Sequence, residues 1–173
     1  FSALVWYRSC VQKKLQRMGN GYYVGKNPRF STILPQLNTV FPNSKIIVLL
    51  RNPIEAIISR MSLLQAVWKH RQPNFSSISQ NQVRWILQNS IEVYLKTEEG
   101  LQSIPKERTI VIGYNELKQH PKATLERITR QFSLPDISAQ LLERLYQLES
   151  KEYRSQHVYD LQQFGLTEAD IQV

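Results

Sequence analysis

The chain has 173 residues, a length typical of one domain, and its 42% hydrophobic and 21% charged residues exclude a disordered or collagen-like chain. No apolar run reaches the roughly 18 residues that a transmembrane helix needs, and the first residues lack the order of a signal peptide. Cys10 is the single cysteine. This excludes an intramolecular disulfide and a cysteine-based zinc site, and it favours a reducing, cytoplasmic setting.

The positive charge is confined to the first third of the chain. Lysine and arginine number 22 against 14 acidic residues, which gives a formal net charge of +8. Residues 1–54 hold eight basic residues and no aspartate or glutamate, whereas residues 55–173 hold 14 of each sign. A field of one sign attracts anions such as nucleic acid, an acidic membrane or a phosphorylated small molecule. A solubilising basic face explains the same distribution equally well.

Taken in chain order, the first half of the sequence predicts helices and strands in alternation. Apolar spacing predicts an amphipathic helix over residues 3–18, and the aromatic and β-branched residues 22–25 predict a short strand. Residues 30–41 are predicted to be helical. The apolar run at residues 45–50 predicts a strand buried on both faces, and Pro53 is suited to the first turn of the helix that follows.

The second half continues the same alternation. The polar residues 69–78 predict a loop, and residues 79–99 predict a helix whose first residue is a serine, a typical N-cap. Residues 109–113 form a further apolar strand, and helices are predicted at residues 121–132 and 138–149. Strands that alternate with long helices indicate an α/β fold with a parallel sheet. Since no linker or internal repeat is found, the whole chain is predicted to be one domain.

Three side chains follow the ends of the predicted strands: Lys26, Arg51 and Tyr114. Ligands of open parallel sheets bind just beyond the carboxyl ends of the strands. Arg51 also precedes a helix N-terminus, where free backbone N–H groups favour an anion, and Ser59 lies further along that helix. An arginine and a serine so placed can converge on one phosphate. The alternatives are a surface salt bridge for Arg51 and a capping or solvent-exposed hydroxyl for Ser59.

The segment from Arg51 to Ser59 resembles an element of the sulfotransferase family. In this family an arginine and a serine separated by seven residues bind the 3′-phosphate of the sulfuryl donor, 3′-phosphoadenosine 5′-phosphosulfate (PAPS). Residues 41–45 and the strand after them resemble the phenylalanine–proline run that precedes this element. Lys26 with the next two residues resembles the family's lysine-bearing strand end.

Two later segments extend the resemblance, which covers about residues 22–170. Residues 111–125 resemble the family's later strand with its tyrosine, leucine and proline, and residues 155–166 resemble the tail of bacterial-type members. No single element is specific, but their order and spacing together are. The resemblance implies a three-layer, P-loop-like sulfotransferase fold in which helices flank a central parallel sheet.

By resemblance, the protein is an enzyme that transfers a sulfuryl group from PAPS, as cosubstrate and without a metal, to a hydroxyl or amine acceptor. Lys26 would stabilise the sulfuryl group or the leaving oxygen, and its alternative is a solvated lysine. His157 is the visible candidate for the general base, with a structural or substrate-contacting role as the alternative. The resemblance implies that Arg51 and Ser59 bind the donor nucleotide. Tyr114 and Arg154 are further candidates: Tyr114 would pack against the adenine or belong to the core, and Arg154 would close over the nucleotide or lie on a solvated face.

Two departures from the family pattern qualify this implication. The family holds the 5′-phosphosulfate in a loop rich in lysine, serine, glycine and threonine after its first strand, and no such loop occurs here. We therefore expect that strand and loop to lie upstream of residue 1, so that residues 1–173 are the C-terminal portion of a domain and have little activity alone. Pro28 stands where cytosolic relatives have a histidine base, so this motif does not identify the base.

Two other hypotheses remain open at this stage. Basic residues interleaved with aromatic ones, such as Tyr22 and Phe30, suit a nucleic-acid-binding α/β module, although no helix-turn-helix, zinc-finger or RNP-like motif is present. A catalytically inactive, nucleotide-binding remnant of the same fold is the third hypothesis. The sequence leaves open the oligomeric state and the acceptor, which is a small alcohol, a lipid, a glycan or a protein tyrosine.

Overall fold

Helices alternate with two strands along the chain. The computed structural model describes residues 2–19, 21–72, 74–149 and 160–171. The helices and strands are α1 (Ser2–Met18), α2 (Leu34–Val40), β1 (Ile46–Leu50), α3 (Pro53–Arg71), α4 (Gln80–Gln102), β2 (Thr109–Gly113), α5 (Tyr114–Gln119), α6 (Pro121–Phe132) and α7 (Ala139–Glu149). Four short 3-10 turns complete the described elements: Pro28–Ile33, Lys106–Arg108, Gln162–Phe164 and Glu168–Ile171.

Most predicted elements are confirmed within one or two residues, and the capping of α4 shows why. Ser79 accepts a hydrogen bond at its hydroxyl from the backbone N–H of Gln82, and the Gln82 side chain accepts one from the backbone N–H of Ser79. This reciprocal pair satisfies two backbone donors at the start of the helix. The loop predicted at residues 69–78 is wrong at its beginning, because α3 continues to Arg71.

The strand predicted at residues 22–25 is wrong. Residues 21–27 carry no regular secondary structure, because this stretch has no strand partner among the described residues. A side chain holds the segment instead: the Tyr23 hydroxyl lies 3.1 Å from that of Tyr7 on α1. Tyr7 also packs against Phe30 and Phe41, with ring centroids 5.5 and 5.8 Å apart, and burial raises its pKa to about 12.

The helix predicted at residues 30–41 is divided in two. A 3-10 turn, Pro28–Ile33, comes first, and α2 follows with Pro35 in its first turn. A proline fits there because the first backbone N–H groups of a helix have no intrahelical acceptor. Pro35 therefore marks the beginning of α2.

The sheet consists of β1 and β2, which pair in parallel from Ile46 with Thr109 to Leu50 with Gly113. Ile46 and Val48 on β1 pack against a core formed with α1 and α2, whereas Ile110 and Ile112 on β2 pack against α6. Because directly paired residues point to the same face, these two groups lie on opposite faces. The sheet is thus flanked by helices on both sides, which confirms the three-layer α/β fold.

The prediction that β1 is buried on both faces is wrong for the described chain. Ile47 and Leu49 are 45% and 55% exposed, whereas Ile46 and Val48 are each 8% exposed. An unbroken apolar run encodes two apolar faces, and only one of them is covered by helices here. All five residues of β1 line a cavity that is described below.

Helices α3 and α4 form a separate core beside the sheet. Ile57 and Met61 from α3 and Ile86 from α4 are fully buried, and Phe164 and Leu166 from the C-terminal segment close this core. Arg108, just before β2, links the beginnings of the two strands. Its Nε and Nη2 donate to the carbonyls of Ser44 and Phe41, at 3.1 and 3.3 Å, just before β1.

Replacing Gly100 by alanine is expected to destabilise the fold, because α4 approaches α2 closely at this residue. A Cβ at Gly100 would lie 2.8 Å from Cβ of Leu34, which is the first and least mobile atom of a fully buried side chain. Overpacking costs about 1–3 kcal/mol, against at most about 1 kcal/mol gained in helix propensity. We expect the melting temperature to fall by about 2–4 °C. Gly113→Ala is the control, since its Cβ would meet nothing closer than 3.9 Å. An unchanged Gly100→Ala melting temperature would contradict the close contact.

Candidate functional site

The pairing of the two strands brings Arg51 and Tyr114 together. Each follows the last residue of its strand, and those last residues, Leu50 and Gly113, are direct partners. As a result, the Arg51 guanidinium carbon lies 5.0 Å from the centroid of the Tyr114 ring, a cation–π contact. Two of the three side chains that the sequence placed at strand ends therefore share one edge of the sheet.

The arginine is held from several directions. Its Nε donates to Oε2 of Glu55 at 3.1 Å, and the Arg51 side chain is 25% exposed. Its backbone carbonyl accepts a hydrogen bond of 2.9 Å from the hydroxyl of Tyr94 on α4. Asn52 caps α3 by accepting from the N–H of Ile54, so the positive end of the helix dipole lies directly beside Arg51. This geometry suits an anion at the carboxyl end of β1.

A cavity of about 690 Å³ extends from this point along β1. One wall is β1 itself, another is the stretch from Val24 to Ser31, and the third is formed by α3 and α4. Its basic lining residues are Lys26, Lys45, Arg51 and Arg60. Among the described residues that line the cavity, none carries a carboxylate. The cavity is therefore apolar along the strand and positively charged around it.

Of the other predicted site residues, one lines the cavity, one lies outside its lining and two lie outside the described residues. Lys26 lines the cavity, although it ends an extended segment rather than a strand, and Asn27 after it caps the next turn by accepting from the N–H of Arg29. Ser59 lies half-buried on α3, but it is not among the described residues that line the cavity. Arg154 and His157 lie outside the residues that the structure describes.

Arg60 is a lining residue that the sequence analysis missed. Its Nη1 donates to the Ser90 hydroxyl at 3.0 Å, and its Nη2 donates to Oδ1 of Asn89 at 3.2 Å. Arg60 lies two turns into α3, away from the strand ends at which the sequence predicted ligand-binding groups. The signal that could have found it is its spacing: Ile57 and Arg60 are three residues apart and so share a helix face.

In the described part of the chain, no cluster of three or more histidine, cysteine, aspartate or glutamate residues is arranged to hold a metal ion. No helix within the described ranges has both the length and the apolar character needed to span a bilayer.

A parallel sheet between helical layers, with an arginine at a strand end beside a helix N-terminus, defines an α/β domain with a corner suited to an anion. The sequence model of the sulfotransferase family matches residues 5–138, well over half of the chain. The chain belongs to this family.

Two curated relatives and one solved structure are similar to the chain. It is 27% identical over 119 residues to omega-hydroxy-beta-dihydromenaquinone-9 sulfotransferase Stf3 of Mycobacterium bovis, and equally to that of Mycobacterium tuberculosis. Each match covers 67% of this chain and 30% of the relative, so the chain spans about a third of their length. The sulfotransferase domain from the curacin biosynthetic pathway has a similar fold, with a TM-score of 0.61 at 22% identity, covering 78% of this chain and 46% of that one.

Replacing Tyr94 by phenylalanine is expected to loosen the attachment of α4 to the end of β1. Loss of the hydrogen bond to the Arg51 carbonyl costs about 1 kcal/mol, or about 2–4 °C in melting temperature. Tyr146→Phe is the control, since the Tyr146 hydroxyl is exposed and accepts from the Lys122 ammonium. Equal melting temperatures for the two variants would contradict the role of Tyr94.

The same variant has an expected pH dependence. Burial raises the pKa of Tyr94 above its ordinary value of 10.0, and the nearby Arg51 charge opposes this. The folded state therefore disfavours the phenolate, so this contribution to stability is present below pH 10 and is lost as the pH rises through the folded pKa. Denaturant titrations between pH 8 and 11 measure this. The free energy of unfolding should fall less with rising pH for Tyr94→Phe than for the native chain.

Proposed function

We propose that the protein transfers a sulfuryl group from PAPS to a hydroxyl or amine acceptor. Family membership supports the reaction class, and the observation that supports the donor is the position of Arg51 beside the N-terminus of α3. There the positive charge of the guanidinium and the N-terminal field of α3 both favour a phosphate. The basic residues around the cavity, none of them opposed by a carboxylate in the described lining, add to the attraction of an anionic nucleotide.

The donor-binding roles are the ones that the resemblance to the family implies. Arg51 and Ser59 bind the 3′-phosphate, and the ring of Tyr114 holds the guanidinium and borders the adenine. Because Ser59 does not line the cavity, its contact needs a phosphate bound close to the first turns of α3. Arg154 closes over the nucleotide from the C-terminal segment. The donor-binding set thus has its centre in Arg51, which already touches both Tyr114 and Glu55.

Sulfuryl transfer needs positive charge most at the bridging oxygen of the donor. The acceptor oxygen or nitrogen forms a bond to sulfur while the bond from sulfur to the bridging oxygen of the donor breaks. Negative charge develops on that bridging oxygen, and the acceptor's proton passes to a base. Donors aimed at this charge supply most of the catalysis, by analogy with phosphoryl transfer. Lys26 fills this role on one wall of the cavity, and His157 is the candidate base.

The sheet of the functional domain contains a further strand. Among the described residues β1 pairs only with β2, so its other edge borders the cavity, and all five of its residues line that cavity. An edge strand with apolar side chains on an open groove is suited to pair with another strand. A strand that carries the 5′-phosphosulfate loop, from a segment upstream of residue 1, would fill this place.

The name of a relative indicates which acceptors to test first. Stf3, by its name, acts on an omega-hydroxy menaquinone derivative, which is an apolar alcohol. Apolar alcohols are therefore the first acceptors to test for this protein, followed by small alcohols, glycans and protein tyrosines.

The donor assignment predicts that the chain binds adenosine 3′,5′-bisphosphate more tightly than 5′-AMP. Charge-assisted hydrogen bonds to the 3′-phosphate contribute about 1.5–3 kcal/mol each. Arg51→Ala should therefore weaken bisphosphate binding about tenfold or more and leave 5′-AMP binding nearly unchanged in calorimetry. The control is Arg84→Ala on α4, whose side chain is exposed and does not line the cavity. Equal affinities of the native chain for the two nucleotides would rule out the 3′-phosphate site.

The proposed upstream strand and loop predict a difference in turnover. A chain extended upstream by that segment should transfer labelled sulfuryl groups to a panel of acceptors. The 173-residue chain should be slower by several factors of about 10² to 10³, one for each missing donor to the developing charge. Comparable turnover by the two chains would show that residues 1–173 hold all the groups that the reaction needs.

A further inference from the structure

A second arginine faces the cavity, and its positive charge has no acidic partner in the described chain. Arg60 makes two hydrogen bonds, to Ser90 and Asn89, and both acceptor oxygens are neutral. No carboxylate forms a salt bridge with Arg60 among the described residues. Arg51 differs, because Glu55 compensates part of its charge.

The Arg60 side chain is nevertheless held in a defined orientation. Ser90 is 5% exposed, and its hydroxyl donates to the carbonyl of Ile86 at 2.7 Å. The hydroxyl proton is therefore committed, and the oxygen is left to accept from Arg60. A guanidinium has five N–H groups, of which these contacts use two. The remaining three keep the fork geometry that suits an oxyanion.

Arg60 is too far from the first anion-binding group to serve the same phosphate. It lies about 10 Å along the axis of α3 from the first residue of the helix, next to which Arg51 stands. Ala56 and Ile57 line the cavity between the two arginines. A ligand that satisfies both guanidinium groups therefore carries two separate anionic groups, as PAPS does, or two ligands bind at once. Because the resemblance assigns the 5′-phosphosulfate of the donor to its own loop and the 3′-phosphate to Arg51, Arg60 is left to a second ligand.

We propose that Arg60 is a second anion-binding centre of the cavity, which takes an oxyanion group carried by the acceptor. This inference rests on the proposed function and narrows it to acceptors with a carboxylate, sulfate or phosphate group as well as the reacting hydroxyl or amine. Arg60 then determines specificity, because an acceptor without the anionic group leaves a half-buried charge unpaired.

The test is a titration of the 173-residue chain with inorganic sulfate, followed by the NMR signals of the arginine Nε–H groups. The chain is first saturated with adenosine 3′,5′-bisphosphate, which occupies the donor's anion sites. A saturable shift of the Arg60 signal is then expected. Arg60→Gln should weaken this sulfate binding about tenfold or more, since it removes the charge, and Arg60→Lys should retain part of it.

Separate outcomes would overturn the proposal. Sulfate binding that is unchanged in Arg60→Gln would show that Arg60 only joins α3 to α4. Bisphosphate binding that weakens in Arg60→Gln would assign Arg60 to the donor instead of the acceptor. Ser90→Ala is the matched variant, because it frees one N–H of Arg60 and keeps the charge, so it should bind sulfate at least as well as Arg60→Lys. Failure of the proposed function would appear separately, as a loss of the preference for the bisphosphate over 5′-AMP.

Discussion

The parallel pairing of β1 with β2 is the constraint on which the candidate site depends. Leu50 and Gly113 are partners at the end of the ladder, so the next residues, Arg51 and Tyr114, lie side by side and make a cation–π contact. A register shift of one residue would reverse the side-chain faces and separate the guanidinium from the ring. The helix that begins at Pro53 then adds its N-terminal field at the same point, so sheet register and helix capping together make one anion-binding corner.

The cavity beside β1 combines two kinds of surface. Its strand wall is apolar, with Ile47 and Leu49 exposed toward open space, whereas Lys26 and the two arginines supply charge at separate places. The apolar wall resembles the inner face of a larger sheet, and the charges suit an anionic nucleotide. A further strand on the edge of β1 would cover the apolar part and leave the charged part open, which reconciles the two surfaces.

Arg51 and Arg60 differ in whether a carboxylate compensates their charge. Arg51 is compensated by Glu55, stacked on Tyr114 and placed at a helix N-terminus, and all of this makes it a rigid, pre-organised group. Arg60 is oriented by neutral oxygens on α4 and keeps its full charge toward the cavity. A partly buried arginine charge that no carboxylate compensates is costly unless an anion binds to it. This difference between Arg51 and Arg60 is the physical basis for assigning a second anionic group.

The sequence by itself determined the elements with strong local signals. The capping serine of α4, the apolar runs of β1 and β2 and the arginine after β1 are all readable, because periodicity, caps and strand ends are properties of neighbouring residues. Tertiary structure alone decided the rest. Residues 22–25 have strand propensity but no partner, so they remain extended without a ladder, and β1 is covered on one face because the helices reach only that face. Arg60 joins the cavity through contacts with Ser90 and Asn89, some thirty residues away, and no local pattern encodes a contact between two helices.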